Sequence, residues 1–551
     1  MHSAKLFAVL SELGTFKLNR SKHSRSAYTS VVNSRLPIVI ALGTLLFFGN
    51  LAGSDIYILD EAKNASCARE MLEKGDWIVP TFNDTLRAQK PPLHYYFMAL
   101  GYRIFGVNEL GARFFSAVFG WLTVVVLYLF TKRFLSGRVA FIASLVFLSS
   151  LHMIIQFRLA VPDPYLIFFV LLSIFSFYAA LAIPNRRFLW LAYSALGLAV
   201  LAKGPVALVI VGGVMLLFLL YTKAINRSTL QWLMPFYGIG LFLLIVLPWY
   251  IAVSVATDGE WLRRFVFQEN VNRFMAPMEG HGGPWWLMAV LTFTGMLPFS
   301  FFIGPALYRA WKQRSDNFLI IAMASIVVVV GFFSVSGTKL PTYIGPSLPF
   351  VAIILGYFLD QLWIAGNLKR FAVATTLLVY SLLMIGLPIG VYLFLETQVC
   401  LAALRNLSFF FIIIPLGGIV SWLAALRQNV EVMIGSLVVS WVTLSLIAFF
   451  IILPQLDKLN PVAAALEHIP EHAQVVSYKR FHPAFAFYWQ KPIIQYQHID
   501  SLQKYVPNSL SVIIITDHRY SPELDSAKVS PNLLYEQSQL FEPIRIRLYA
   551  Y

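Results

Sequence analysis

Apolar runs long enough to cross a hydrocarbon core recur from Leu36 almost to Leu453, and that repetition limits what the chain can fold into more than any other feature. A bilayer core of about 30 Å needs about 20 apolar residues per helix. Only helices and closed barrels satisfy their backbone polar groups in lipid. Runs of this length and number describe a bundle of membrane helices and exclude a single-span anchor. Composition agrees: 58% of the 551 residues are hydrophobic, 13% are charged, and mean hydropathy is +0.70. A soluble domain is about a quarter charged.

Grouping the runs between charged residues and Pro/Gly breaks predicts about thirteen spans, near residues 36–53, 109–131, 139–157, 163–183, 188–202, 205–221, 231–254, 285–308, 317–336, 343–364, 371–395, 407–426 and 432–453. Residues 1–35 form a basic segment with Lys17, Arg20, Lys22, Arg25 and Arg35. No convincing small-residue cleavage site follows, so the first run is read as a retained span rather than a leader. With that segment in the cytoplasm, alternate short loops carry Lys132/Arg133/Arg138, Arg186/Arg187, Lys223/Arg227, Arg309/Lys312/Arg314, Lys369/Arg370 and Arg427, as the positive-inside rule requires. The other face receives long loops at 54–108 and 255–284, short loops near Asp163 and Lys339, and residues 455–551.

The predicted architecture is therefore an all-α polytopic membrane domain over 36–454 with a small soluble α/β domain over 455–551. In the latter, Val475–Tyr478, Ile493–Tyr496 and Val512–Thr516 read as strands. Pro461–His468, Pro483–Trp489 and Asp500–Tyr505 read as short helices. The net charge of +15 is spread over the inter-helix loops, which suits membrane lipid headgroups rather than nucleic acid. Cys67 and Cys400 are the only cysteines; two unpaired thiols are expected, and no Cys-rich metal site can be built.

The outer face gathers the polar motifs. The first long loop contains Asp60-Glu61 followed by a helix-compatible stretch to Met71, then Gln89-Lys90-Pro91-Pro92. Read alone, the acids fit the start of a solvated amphipathic helix, and Lys90 fits a snorkelling side chain beside an aromatic belt. Asp163 lies between Pro162 and Pro164 at a span end, where a carboxylate is costly unless hydrated or paired. Lys203-Gly204-Pro205 breaks an apolar region and fits a hairpin turn; further loops hold Glu269, Asn270, Arg273, His281-Gly282-Gly283-Pro284-Trp285 and Lys339-Leu340-Pro341-Thr342-Tyr343. Each motif is weak by itself. A topology assigned from other loops nevertheless brings all of them to one face, which scattered snorkelling residues would have no reason to do.

Cations beside carboxylates at a membrane surface suit glycosyl transfer from a lipid phosphate. Lys or Arg neutralises the charge growing on a phosphate leaving group, and a carboxylate orients or removes the acceptor's proton. No Gly-rich phosphate loop or Rossmann fingerprint is present, which disfavours a nucleotide-sugar donor. Nor is there a His-rich or Cys-rich metal constellation, so a divalent metal has no support in the sequence.

The order and spacing of Asp60-Glu61-Ala62, Ala68-Arg69-Glu70-Met71, Gly75-Asp76-Trp77, Lys90-Pro91-Pro92, Phe105-Gly106, Pro162-Asp163, Lys203-Gly204-Pro205, His281-Gly282-Gly283-Pro284-Trp285 and Lys339-Leu340-Pro341-Thr342-Tyr343 resemble the aminoarabinose transferase and protein O-mannosyltransferase superfamily over most of the chain. The resemblance implies the class C glycosyltransferase fold, a bacterial inner-membrane enzyme and an inverting single displacement. It implies Asp60 as principal catalytic carboxylate, Asp163 as a second acid, Lys90, Arg273 and Tyr343 on the donor phosphate, and Lys203 near the sugar. Glu61, His281 and Lys339 would support them. The implied partners are a polyprenyl-phosphate sugar and an acceptor such as lipid A or another envelope glycan, with the enzyme expected as a monomer. Two departures bear on the donor: Lys63-Asn64 follows the Asp-Glu start where Arg-Tyr is common, and Gln89 stands where an acid often precedes Lys-Pro-Pro. A protein acceptor is the alternative within the class. A lipid-linked-sugar flippase is the rival outside it, and would favour inverted repeats and mid-bilayer charge, neither of which is evident.

Overall fold

The computed structural model of the chain describes residues 35–183, 185–365, 370–398, 400–505, 512–526, 532–540 and 544–551. The basic N-terminal segment before Arg35, and Lys369 of the cytoplasmic loops, lie outside them. Helical segments stand at all thirteen expected positions. Among the described residues, eight are long and apolar enough to cross a membrane. There are nine if Leu287–Gly295 and Phe299–Lys312, bent by 117°, count as one span. Arg35–Phe48, Gly137–Leu148 and Val206–Tyr221 are apolar but shorter. Length and composition thus do not carry the count of thirteen. The run at 139–157 shows why: it is a helix ending at Leu148, two serines, and a separate turn over Leu151–Gln156.

Side-chain caps begin several spans. Asn108 accepts from Gly111 N, Ser136 from Val139 N, and Asp316 from Phe318 N and Leu319 N, each satisfying donors that a helix start leaves open. The bundle is built around Asp163–Ala182, buried along nearly its whole length. Arg187–Lys203 packs along it. An antiparallel pairing of these two helices brings Lys203, the last residue of one, to Asp163, the first residue of the other.

The first outer loop is largely structured. Leu59–Lys74 is a helix closed by Gly75 at φ 68, a left-handed cap that glycine adopts without a Cβ penalty. A small hairpin follows, β1 (Thr81–Phe82) and β2 (Thr85–Leu86), turned through Asn83 and Asp84 at φ 52 and 60. The Glu70 carboxylate holds this turn by accepting from Asn83 N at 2.6 Å and Thr81 Oγ1 at 2.7 Å. Helix Leu93–Phe105 then packs against Leu59–Lys74.

The C-terminal domain carries a five-stranded sheet of β3 (Gln474–Tyr478), β4 (Ile494–Tyr496), β5 (Val512–Asp517), β6 (Asn532–Ser538) and β7 (Arg545–Ala550) in the order β4-β3-β5-β7-β6. The first three are parallel, and β7 runs antiparallel to both β5 and β6. Strands β3, β4 and β5 match the sequence reading, while β6 and β7 were not expected. The domain is not a free appendage. Its helix Ala484–Trp489 packs on Leu59–Lys74, joining Phe485 and Phe487 to Ala62, Ala65 and Ala68 in one buried cluster. Asn83 and Ile493 exchange hydrogen bonds of 2.7 and 2.8 Å. Tyr488 Oη accepts from Ile56 N at 2.8 Å and donates to Glu109 at 2.7 Å.

Both cysteines are free thiols, Cys67 buried in that cluster and Cys400 half-buried.

Candidate active site

Helix ends and the loops between them line a cavity of about 450 Å³. Lys90, Lys203, Arg273 and Tyr343, from four separate segments, all line it, together with Gln89, Phe265, Glu269 and Asn270. Lys203 is fixed in two ways. Its Nζ lies 2.6 Å from Asp163 Oδ1, and it sits 5.3 Å from the centre of the Tyr343 ring. Asp163 is buried and does not line the cavity; it anchors the ammonium that does. Gly204 follows at φ 91, and a Cβ there would stand 2.5 Å from Phe265 Cζ. The close approach of the second outer loop to the end of helix Arg187–Lys203 therefore requires glycine.

Arg273 comes from the second outer loop, where Glu260–Arg263 continues into a π-helical stretch over Arg264–Asn272. Its Nη2 lies 3.3 Å from Glu269 and 3.6 Å from Glu279. Backbone bonds stitch this segment to the loop before Tyr343. Gly337 N donates to Phe274 O at 2.6 Å, Thr338 N to Arg273 O at 3.1 Å, and Lys339 N to His281 O at 2.8 Å. Lys339 Nζ donates to Ser336 O at 2.5 Å, at the end of helix Asn317–Val335, and His281 is exposed. Both therefore enter the arrangement through their backbones, which align Arg273 with Tyr343. Their side chains do not line the cavity.

Asp60 is the second residue of helix Leu59–Lys74; its side chain is exposed and does not line the cavity, but it feels the charges of Lys90 and Lys203, which do. Burial would raise its carboxyl, but Lys90, Arg87, Lys63 and Lys203 outweigh it and hold the group below the usual carboxylate range. At Lys90 the attraction of Asp60 is outweighed. Burial, then the repulsion of Lys203 and Arg273 against the pull of Asp60 and Asp163, pushes its ammonium down to about 8. The site thus sets an acid held toward its ionised form within the field of a lysine whose ammonium is weakened.

Glu61, adjacent to Asp60, faces the other way. It is buried and receives both Arg113 Nε at 2.7 Å and Arg113 Nη2 at 2.9 Å, and it also accepts from Ala160 N at 2.9 Å. Arg113 continues to the carbonyls of Leu51 at 3.2 Å and Ser54 at 2.5 Å. The fork joins the Asp60 helix to helix Glu109–Phe134, and the bond from Ala160 joins it to the segment that leads into Asp163. Arg87 plays a similar part nearer the cavity: Nε donates to Tyr95 Oη at 3.1 Å and Nη2 to Asn64 at 3.0 Å, while its carbonyl accepts from Trp261 Nε1 at 3.1 Å. Sequence reasoning missed both arginines. Arg87 had one usable signal, a second cation three residues before Lys90; Arg113 had none, being 52 residues from its partner. Among the described residues no group of three His, Cys, Asp or Glu gathers that could hold a metal ion.

Residues 57–262 match the family model of dolichyl-phosphate-mannose-protein mannosyltransferases. An uncharacterised protein of Aquifex aeolicus is 32% identical over 66% of this chain and 72% of its own length. The undecaprenyl phosphate-alpha-4-amino-4-deoxy-L-arabinose arabinosyl transferase of Pseudomonas aeruginosa is 29% identical over 79% of both chains. Among solved structures, ArnT from Cupriavidus metallidurans bound to undecaprenyl phosphate superposes with a TM-score of 0.80 at 20% identity, covering 94% of this chain and 97% of that one. The class C architecture is therefore shared across the membrane bundle and the C-terminal domain together.

Proposed function

We propose that this chain, which belongs to the superfamily of aminoarabinose transferases and protein O-mannosyltransferases, is an inverting membrane glycosyltransferase. It takes a sugar from undecaprenyl phosphate and delivers it to lipid A or another envelope glycan at the periplasmic face of the bacterial inner membrane. The observation that carries this reading is the convergence of Lys90, Lys203, Arg273 and Tyr343 on one cavity at the membrane surface, with the ionised Asp60 beside it.

In the Michaelis complex the donor phosphate lies among Lys90, Arg273 and the Tyr343 hydroxyl. As the bond from the anomeric carbon to the phosphate oxygen breaks, negative charge grows on that phosphate. Cations already in place stabilise it without reorganising at the moment of reaction. Asp163 keeps Lys203 beside the same site. The acceptor oxygen attacks from the opposite side, inverting the anomeric centre. For a hydroxyl acceptor, Asp60 takes the proton as general base. For a lipid A phosphate, already ionised at neutral pH, Asp60 orients the nucleophile.

Mass spectrometry of lipid A and envelope glycans tests this in cells with and without the protein, and in cells carrying Asp60→Asn. A sugar-sized mass increment is expected only with the unaltered chain, with transfer by Asp60→Asn lower by about 10²- to 10⁴-fold, the usual contribution of a positioned acid or base. Full transfer by Asp60→Asn would remove it from the catalytic role.

A further inference from the structure

The C-terminal domain brings a second group of polar side chains to the helix that bears Asp60. In its sheet the chain leaves β3 toward β4 on one side and leaves β5 toward β6 and β7 on the other. Such a reversal opens a crevice outside the carboxyl ends of the two neighbouring parallel strands, the usual place for a ligand in an open α/β sheet. Here that crevice is lined by Arg480, His482 and Pro483 after β3, by Thr516 and Asp517 of β5, and, from the membrane domain, by Leu59, the residue before Asp60. Its volume of about 20 Å³ is room for roughly one water, so a larger ligand meets its rim.

The rim is basic. Arg480 is exposed, and Lys63, one turn after Asp60, is half-buried. Burial and these two cations push the His482 imidazole down to about 4, and Lys63 acts on Asp60 as well. The neutral His482 ring stacks on Tyr57 at 4.4 Å and 15°. Its Nδ1 accepts from Ala484 N at 3.3 Å, which leaves Nε2–H as the ring's donor. Asp517, the one acid among the described lining residues, accepts from Arg519 N at 3.0 Å and Arg519 Nε at 2.9 Å, so it does not offset Lys63 and Arg480.

On the reading that this chain is a glycosyltransferase with its donor phosphate at Lys90 and Arg273, we infer that Lys63, Arg480 and His482 form the acceptor side of the site and hold a phosphate of a phosphorylated saccharide headgroup. In a single displacement the acceptor attacks from the side opposite the leaving phosphate. Asp60 feels Lys90 and Lys203 of the cavity and Lys63 of the rim, so it lies within the field of both. An anionic acceptor moving up to an ionised carboxylate is repelled unless its charge is met. Lys63 and Arg480 meet it there through charge-assisted bonds. The C-terminal domain thereby becomes part of the site as well as a cover for its helix.

The test uses the full chain in lipid nanodiscs, with the donor site filled by saturating short-chain polyprenyl phosphate. Three soluble probes follow: an acyl-free disaccharide bisphosphate, the same disaccharide without phosphate, and inorganic phosphate. The bisphosphate is expected to bind the parent at least about tenfold more tightly than the other two. Lys63→Gln and Arg480→Gln should each weaken it by about tenfold, the worth of one charge-assisted bond, and leave polyprenyl phosphate affinity within about twofold. Arg480→Lys, which keeps the charge, should retain most of the affinity. The inference is overturned if the bisphosphate does not bind the parent, if both Gln variants bind it as the parent does, or if Arg480→Lys loses as much as Arg480→Gln. It also fails if either of the other probes binds as tightly. Failure of polyprenyl phosphate itself to bind would instead sink the donor reading on which the inference rests.

Discussion

Two outer loops supply cations to one cavity, yet they are built differently. The first is clamped. Ten residues of helix Leu59–Lys74 are buried, Glu61 and Arg113 form a buried fork, and the C-terminal domain covers the helix from outside. The second loop buries little beyond Trp261 and Phe265, holds Arg273 through a partly exposed pair of acids, and leaves Met275 76% exposed. A region with few buried contacts opens at lower free energy. The contrast teaches that Asp60 is carried on a firmly packed frame, whereas Arg273 is carried on a segment with few buried contacts.

Substitutions at the two arginines bear directly on that contrast. Arg113→Ala strips Glu61 of its partner inside the clamp, and a buried ion pair broken from one side costs about 3–5 kcal/mol. A large fall in the unfolding temperature of the detergent-solubilised protein is expected. An unchanged temperature would mean that the first loop is no more firmly held than the second. Arg273→Ala should do the converse. The unfolding temperature stays near that of the parent, and donor affinity falls by about 10- to 100-fold, the worth of a charge-assisted bond of about 1.5–3 kcal/mol. If stability fell instead, the second loop would be a structural strut and the comparison would fail.

The smallest effect concerns pH. Binding an anionic phosphate favours protonated Lys90, and the free site loses that proton as pH rises through about 8. Donor affinity should be full below that value and fall by at most tenfold per unit above it. Lys90→Arg, which stays charged, should flatten the profile. Unaltered donor affinity between pH 7 and about 9.5 would show that Lys90 does not meet the phosphate.

How much of this could be read from the sequence follows from the range of each interaction. Membrane helices announce themselves because lipid demands long apolar runs, and every expected run is helical in the structure. Breaks within runs, such as Ser149-Ser150, do not announce themselves, so helix length and composition leave the count of thirteen spans unconfirmed. Strands β3 and β5 were legible as buried apolar stretches. The last two strands were not, because β6 has no fully buried residue and β7 alternates apolar residues with Arg545 and Arg547, which pair across the ladder with Glu536 at 3.1 Å each. In the site, Lys90, Lys203, Arg273 and Tyr343 could be named from motifs and assigned to one face from loop charge. The direction each side chain takes could not. Lys339 resembles Lys203 in being a lysine at the end of a span, but it turns to the Ser336 carbonyl, and only the folded backbone distinguishes the two.

The paired bonds between Asn83 and Ile493 join positions 410 residues apart. A ribosome adding about 5–20 residues per second needs roughly 20 to 80 seconds to travel between them. Throughout that interval the helix bearing Asp60 has already been made, but the surface that covers its Ala62, Ala65 and Ala68 has not. The nascent enzyme is thus held in an unfinished state whose exposed alanine face is a natural mark for chaperones and proteases. A ribosome that stalls near the last membrane helix leaves a protein that has made every cation of the cavity wall, with the helix bearing Asp60 still uncovered.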